Sequence, residues 1–448
     1  MSAAIRAAQR GARVALVDSG PIGGTCLNRG CIPARALGTT ARLMAQLRKA
    51  ETYGVHVEGL RVDLAGVLTR KERILRRLRA GLLDSLKRSK VALLEAEGIL
   101  QSSRELELKI PGKPSEGLRA QAVILATGSR PGSIPGCPID GKAVITSDEI
   151  LNLSRLPASL TVVGGGVIGS EFASYFADLG VSVTLIEAVA RLLPSQDPAV
   201  SEAFARSLKR RGVSVLTETK VSGISRQSDG AAVTLSDGRT VSSELVLVAV
   251  GRVPRLPQGV EAAGLKLQKG GLSVDERLRT SVPGVFAIGD LLGGYQLAYT
   301  ASYEGALAAE NALGGSIAAD YDAVPDTIYT EPEIASVGLT ETEALERGKQ
   351  VKVSRVPFAG FARALTLEET EGFAQLVSER SSGQLLGAQM IGARATDLIG
   401  EAALAVRHRL TVKHLVDTIH AHPTMSESLW EVAAIALERS IYYAVGER

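Results

Sequence analysis

Cys26 and Cys31 carry the most evident chemistry in this chain, inside the run Gly23-Gly24-Thr25-Cys26-Leu27-Asn28-Arg29-Gly30-Cys31-Ile32-Pro33. Two thiols this close can cycle between dithiol and disulfide or hold a metal. A metal is the weaker option, because no histidine or further cysteine lies near the pair to complete four ligands. Five positions along an undistorted helix amount to about 7.5 Å of rise, beyond the roughly 7 Å that a disulfide spans between Cα atoms. A bridge therefore requires irregular backbone, which the glycine-rich lead-in, Gly30 and Pro33 supply. Such a strained, accessible bridge is easily reduced. Taken alone, the pair reads better as two reduced, buried thiols. Cys137 has no partner nearby and reads as a bystander.

A second constellation is Gly164-Gly165-Gly166-Val167-Ile168-Gly169, a G-x-G-x-x-G that follows a predicted strand and opens a predicted helix. Glycines there let the backbone approach a pyrophosphate while the helix end supplies amide donors. Glu187, at the end of the next strand, is placed to accept hydrogen bonds from an adenosine ribose. A carboxylate repels a 2′-phosphate and Ala188, Val189 and Ala190 offer no cation, so NAD is favoured over NADP; Arg191 is the only basic residue close by. A third is His422-Pro423-Thr424-Met425-Ser426-Glu427. Histidine suits proton transfer near neutrality, but Thr424-x-x-Glu427 ahead of the apolar run Leu429 to Leu437 is also a capping box. Both readings of Glu427 can hold. His56, His408 and His414 are isolated, His420 is expected to pack, and Trp430, Tyr442 and Tyr443 suit a core or a dimer contact.

The elements that must position these groups alternate short β-rich runs with longer helical stretches, which points to α/β architecture. A small-residue helix over Ser2 to Arg10, stopped by Gly11, precedes a buried strand over Ala12 to Asp18. The plan repeats as a strand from Ser159 to Gly164, a helix from Ile168 to Leu179, and a strand from Val181 to Glu187. Between them lie a charged helix over Asp63 to Val91 and a strand over Gln121 to Ala126 ending in the turn Thr127 to Pro131. A strand-turn at Gly284 to Asp290 precedes a helix from about Ala301 to Leu313. Strands at Gln375 to Ser378 and Leu385 to Met390, then helices at Thr396 to His408 and Met425 to Ser440, mark a third domain. The expected class is two Rossmann-like dinucleotide-binding domains plus a C-terminal α+β dimerisation domain. Its expected segments are 1–142 and 271–321 for FAD, 143–270 for NAD, and 322–448 for the interface.

Length and composition permit this. The 448 residues leave room for about three domains, and 45% hydrophobic with 22% charged residues is ordinary globular composition. A formal charge of +3, with scattered basic residues, gives no support to nucleic-acid binding. Apolar stretches such as Ala122 to Ala126 are far too short for a membrane span. Arg6, Gln9, Arg10 and Arg13 break up any secretory apolar region. A cytoplasmic protein is expected, and three cysteines do not make an extracellular disulfide framework.

The whole chain resembles the class I pyridine-nucleotide disulfide oxidoreductases, the group of lipoamide dehydrogenase, glutathione reductase and mercuric reductase. The resemblance rests on GGTCLNRGCIP (Gly23 to Pro33), ATGSRP (Ala126 to Pro131), GGGVIGSE (Gly164 to Glu171), AVGRVP (Ala249 to Pro254), FAIGD (Phe286 to Asp290), Glu304-Gly305, and HAHPTMSE (His420 to Glu427). It implies FAD and NAD as cofactors, with Cys26 exchanging with substrate and Cys31 facing the flavin. It also implies a homodimer with shared active sites, in which His422 is the acid/base and Glu427 orients it. For FAD it points to Asp18, Thr25, Arg35, Gly98, Thr127, Gly128, Ser129, Asp290 and Ala298. For NAD it points to Gly164, Gly166, Ile168, Gly169, Glu171, Glu187, Val221 and Gly251.

Within the family the residues favour oxidation of a dihydrolipoyl dithiol on a carrier protein, of a 2-oxo acid dehydrogenase or glycine cleavage complex, with NAD⁺ as acceptor. Ile441 to Arg448 contains no vicinal cysteines, against mercuric reductase, and Glu187 with its cation-poor neighbours argues against glutathione reductase. An NADH-dependent reductase of another disulfide or of quinones is the alternative. Three departures stand out. Arg35 replaces the family's usual lysine, and an arginine keeps the ion pair to Glu171 but not its point-charge geometry. Tyr299 stands where lipoamide dehydrogenases commonly have histidine. The chain begins inside what should be the first helix, so the first strand and its G-x-G-x-x-G are expected to be absent and FAD to be held weakly. A flavin-free dimer binding NAD or a partner is the corresponding non-enzymatic reading.

Overall fold

The computed structural model describes residues 1–268 and 270–443. The last residues of the cysteine-free Ile441 to Arg448 segment lie outside the described residues. Helix α1 (Ser2–Gln9) ends as expected: Gly11 has φ +85°, and the amides of Gly11 and Ala12 bond back to the carbonyls of Ala8 and Ala7. That cap consumes Ala12, so the following strand is shorter than its pattern suggests, Ala15–Asp18. It is half-exposed rather than buried. It pairs in parallel with Ala92–Glu95.

Next come α2 (Gly24–Arg29), α3 (Cys31–Arg48) and the long α4 (Leu64–Arg88). An antiparallel three-stranded sheet from Glu97–Leu100 to Glu116–Arg119 follows. Val123–Leu125 pairs in parallel with Val285–Ala287. Ser129–Pro131, expected as part of a turn, is a short strand paired antiparallel with Arg252–Pro254. The turn signal was sound, since Gly128 has φ +71°, but the partner strand is far away in sequence and leaves no local trace.

The second unit is a five-stranded parallel sheet with Ser159–Val163 between Ser182–Ile186 and Leu245–Val248. All four residues of Leu245–Val248 are buried, as suits a strand covered on both faces. Helix α5 (Val167–Asp178) is buried around most of its circumference, which marks an interior helix. Helix α6 (Pro198–Arg210) starts on Asp197, whose side chain accepts from the Ala199 amide. Helix α7 (Ala298–Ala312) begins three residues before the expected Ala301. It lies so close to α1 that a Cβ on Gly305 would sit 3.1 Å from the Ala3 nitrogen.

The C-terminal unit is a five-stranded antiparallel sheet whose centre is Gly372–Glu379 and Leu385–Gly392. Ala395–Arg407 and Glu427–Ala436 pack on it. The last helix stops short of the expected Ser440 because Glu438 adopts φ +60° and the Arg439 amide returns to the Ala434 carbonyl. One apolar core joins all three units: Leu37 and Met44 of α3, Phe172 and Phe176 of α5, and Ile328, Ile334 and Ile391 of the C-terminal sheet. Among the described residues, no helix is long and apolar enough to cross a membrane.

Candidate active site

Cys26 lies in α2 and Cys31 is the first residue of α3, with Gly30 between the two helices at φ −136° and ψ −115°. This is the irregular backbone that the spacing required, and Gly30 supplies it. A Cβ there would come 3.1 Å from the Thr25 carbonyl oxygen. Pro33 falls in the first turn of α3, where a missing amide costs nothing. Gly23, at φ +108°, brings the lead-in onto Leu27. Both cysteines are free thiols, Cys31 exposed and Cys26 half-buried, and each shifts the acidity of the other.

The two thiols differ in acidity. The interaction with Cys26 pulls the Cys31 thiol down to about 7, with the Arg35 charge helping against burial. The same interaction with Cys31, together with burial, pushes Cys26 well above the ordinary thiol range. The N-terminus of α3 contributes in the same sense, since a helix start favours a thiolate.

Arg35 sits one turn along α3 from Cys31. Its Nη2 donates to Glu171 Oε1 at 2.6 Å, its Nη1 donates to the Tyr175 hydroxyl, and its guanidinium lies 3.8 Å from the centre of the Tyr329 ring. The Tyr329 amide donates to the same Glu171 oxygen at 2.9 Å. Glu171, expected among the NAD residues, is therefore turned to α3, and at 5% exposure it is buried there. The contact works because α3 and α5 touch at Gly38, where a Cβ would stand 2.7 Å from the Tyr175 ring. Tyr299, at the start of α7, donates its hydroxyl to the Pro325 carbonyl, and burial raises its pKa, disfavouring the phenolate.

A second group forms where Ser129–Pro131 meets Arg252–Pro254. Arg252 Nε donates to Ser129 Oγ at 2.7 Å and its Nη2 to the Ser129 carbonyl at 3.0 Å. Ser129 Oγ in turn donates to Asp290 Oδ2. Thr127 Oγ1 donates to the Arg255 carbonyl, and the Gly251 carbonyl accepts from the Gly132 amide at 2.9 Å. Asp290 follows the strand Val285–Ala287, and Asp18 closes Ala15–Asp18, where its Oδ1 accepts the Gly20 amide at 3.0 Å. Two carboxylates at the C-terminal ends of parallel strands are an acceptor set that fits the ribitol and ribose hydroxyls of FAD. Ala298 opens α7. Gly98 lies in Glu97–Leu100 opposite Leu108, where a Cβ would stand 3.5 Å from Val17, the neighbour of Asp18.

The dinucleotide loop of the second unit is tight. A Cβ on Gly164 would meet the Ala249 carbonyl oxygen at 2.5 Å, and one on Gly169 would meet the Gly164 carbonyl oxygen at 1.8 Å, whereas Gly166 faces open space. Glu187 Oε2 accepts the Gly165 amide at 2.6 Å and Oε1 accepts the Val189 amide at 2.9 Å. Each oxygen keeps lone pairs for a ribose, and the amides at Gly166 to Ile168 open α5, so the residues fit NAD. Val221 lies in a different strand, opposite Leu235.

His422 and Glu427 form a separate group on the C-terminal unit. His422 Nδ1 is 2.8 Å from Glu427 Oε1, and Glu427 Oε2 accepts the Thr424 amide at 2.9 Å. Glu427 thus orients the imidazole and satisfies the chain entering the last helix with one carboxylate. Only half of the capping box forms, because Thr424 Oγ1 instead donates to the Ala421 carbonyl. His420, as expected, packs: its Nε2 is 2.9 Å from Glu401 Oε1, a contact that raises its pKa. Among the described residues, no hydrogen bond or ion pair joins His422 or Glu427 to the cysteines within one chain. Sequence reasoning missed Tyr175, Tyr329 and Arg252. Arg252 stood in a recognised motif, but nothing local marked the tyrosines.

Residues 1–305 match the family pyridine nucleotide-disulphide oxidoreductase and residues 324–433 its dimerisation domain. The chain is 39% identical over 444 residues to the dihydrolipoyl dehydrogenase of Chlamydia muridarum, covering 98% of this chain and 95% of that one. It is 40% identical over 456 residues to the dihydrolipoyl dehydrogenase of Bacillus subtilis, covering 98% and 96%. LpdA from Mycobacterium tuberculosis superposes with a TM-score of 0.91 at 30% identity, over 96% of each chain. The HOCl-induced flavoprotein disulfide reductase RclA from Escherichia coli gives 0.88 at 28% identity, over 97% and 96%. The dimerisation domain supports a homodimer. Across both of its matched regions, the chain belongs to the pyridine nucleotide-disulphide oxidoreductases.

Proposed function

We propose that this chain is a dihydrolipoyl dehydrogenase: it oxidises a dihydrolipoyl dithiol on a carrier protein and reduces NAD⁺, through Cys26 and Cys31 and with FAD bound. The carrier is a lipoyl-bearing protein of a 2-oxo acid dehydrogenase or glycine cleavage complex, and the setting is the cytoplasm. The observation that carries the reading is the thiol pair Cys26 and Cys31 at the glycine break between α2 and α3, with Arg35 fixed one turn beyond it. In thiol–disulfide exchange the more acidic sulfur leaves faster. With the Cys26–Cys31 bond oxidised, a substrate thiolate attacks Cys26 Sγ and expels Cys31 as the thiolate that Arg35 and the helix end stabilise. The second substrate thiol then attacks the mixed disulfide, loses its proton to His422 of the partner subunit, and releases lipoyl disulfide and Cys26. Glu427 holds Nδ1 of that imidazole, leaving Nε2 for the proton. FAD, which Asp290 and Asp18 would hold, would supply the two-electron chemistry that links this dithiol to NAD⁺.

Asp290, fixed by Ser129 and Arg252, and Asp18 would hold FAD hydroxyls; Glu187 and the loop Gly164 to Gly169 would hold NAD. The domain limits 1–142 and 271–321 for FAD, 143–270 for NAD and 322–448 for the interface are proposed on the same grounds. The test combines the visible spectrum of the purified protein with turnover of dihydrolipoamide and NAD⁺. Flavin absorbance bleached by dihydrolipoamide, with NADH formed, supports the reading. A colourless, NAD-binding dimer sinks it. Turnover of another disulfide or a quinone with NADH, and none of lipoamide, assigns the alternative reductase that Tyr299 leaves open.

A further inference from the structure

Of the residues that hold the cation beside the dithiol, Glu171 belongs to a motif, but Tyr175 and Tyr329 do not. An arginine is long and rotamer-rich, so a guanidinium one turn from Cys31 stays near that sulfur only if something fixes it. Three groups from two separate parts of the chain do so. Glu171 and Tyr175 both come from α5, one turn apart, and close on two different guanidinium nitrogens. Tyr329, from the first segment of the dimerisation domain, lays its ring 3.8 Å from the guanidinium and gives its amide to Glu171. Tyr175 is 4% exposed and cannot swing away, because its ring is wedged on Gly38 of α3.

We propose that Tyr175 and Tyr329 are positioning residues for the redox dithiol: together with Glu171 they clamp Arg35 against the first turn of α3, and so set the charge felt by Cys31. The inference rests on the reading of Cys31 as the thiolate partner. The titratable and charged groups whose charge acts on Cys31 are Cys26 from α2, Arg35 from its own helix, Glu171 from α5, Arg252, and Tyr299 from α7. Arg35 and Arg252 are the cations in that set. Loosening Arg35 therefore weakens the attraction that favours the thiolate, whereas Glu171, once unpaired, opposes it.

The test is the pH dependence of iodoacetamide alkylation of the reduced holoenzyme. Wild type is expected to show a midpoint near 7 for Cys31. Tyr175→Phe, which keeps the ring on Gly38 and removes the hydroxyl, is expected to raise it by about 0.5–1 unit, as is the surface-accessible Tyr329→Leu. In an Arg35→Lys background, where the fork to Tyr175 is gone, Tyr175→Phe should add nothing. Midpoints unchanged by both tyrosine variants overturn the clamp, even if thermal stability falls, because packing alone would do that. An equal shift in the Arg35→Lys background overturns it too. A wild-type midpoint at the ordinary thiol value would instead refute the reading of Cys31 itself, and the clamp with it.

Discussion

Replacing Cys26 by alanine tests whether the interaction between the two thiols sets the acidity of the dithiol. Cys31 lies near 7 against an ordinary value of 9.0, and the interaction with Cys26 is the largest cause. In Cys26→Ala that interaction is gone, while Arg35 and the start of α3 remain. The Cys31 midpoint should therefore climb only part of the way, to about 8, so that the thiolate fraction at pH 7 falls from about one half to about one tenth. Cys26→Ser keeps a hydroxyl donor at the same place and should recover most of the acidity. The direction follows from the charge: a thiol whose pKa is lowered keeps its reactivity down to that lower pH and loses it as pH falls through 7. Thiolate absorbance near the ultraviolet edge, with alkylation rates from pH 5 to 10, reads both variants. A midpoint that stays at 7 in Cys26→Ala would refute that interaction and leave Arg35 and the helix end as the whole cause.

Gly169→Ala should abolish NAD binding measured by fluorescence titration, since its Cβ would lie 1.8 Å from the Gly164 carbonyl oxygen and the loop would have to open. Glu427→Gln keeps an acceptor for the Thr424 amide but loses the charge on His422; turnover should fall about 10²-fold with the melting temperature nearly unchanged, whereas Glu427→Ala should also cost about 1 kcal/mol of stability. Arg42→Ala leaves Glu331, Glu333 and Glu369, which surround it at 3.5, 2.8 and 3.0 Å, without their cation, at a cost of about 3 kcal/mol. Burial raises Glu331 to about 7 against the Arg42 charge. A carboxyl with a raised folded pKa favours folding at acid pH, and that contribution is lost as pH rises through 7. The variant should thus lose more stability at pH 8 than at pH 6 in denaturant titrations.

The dinucleotide loop was legible because every part of its signal is local: strand, glycines, helix and Glu187 follow one another in one short stretch. The same holds for the glycine break between Cys26 and Cys31, and for Glu427, whose two roles both come from residues within five positions. What stayed hidden depends on distant segments. Ser129–Pro131 becomes a strand only because Arg252–Pro254 arrives beside it. Gly98 and Val221 were placed by resemblance alone, and they lie in strands paired with Leu108 and Leu235. Glu171 was expected at the nucleotide, because it sits in the same motif as Gly169, and also as the partner of Arg35, which is the contact it makes. One further half-turn of α5 rotates its side chain toward α3 instead.

That half-turn also explains why an arginine can stand at position 35. A lysine needs only Glu171 as a partner, whereas the guanidinium fork has more donors to satisfy once it is half-buried. Tyr175 takes one of them, reached because Gly38 lets α3 and α5 approach to within a ring's thickness. Tyr329 covers the flat face, and it directly follows Asp326–Ile328, the edge strand that pairs with Ile334–Gly338 in the dimerisation sheet. The charge beside Cys31 is therefore tied to the unit that carries His422. Any displacement of that unit, such as loss of the second subunit, would act on the dithiol through Tyr329 and on proton transfer through His422 together. A dimer-weakening substitution remote from both should raise the Cys31 alkylation midpoint in step with its loss of turnover; turnover lost at an unchanged midpoint would show that the two are separable.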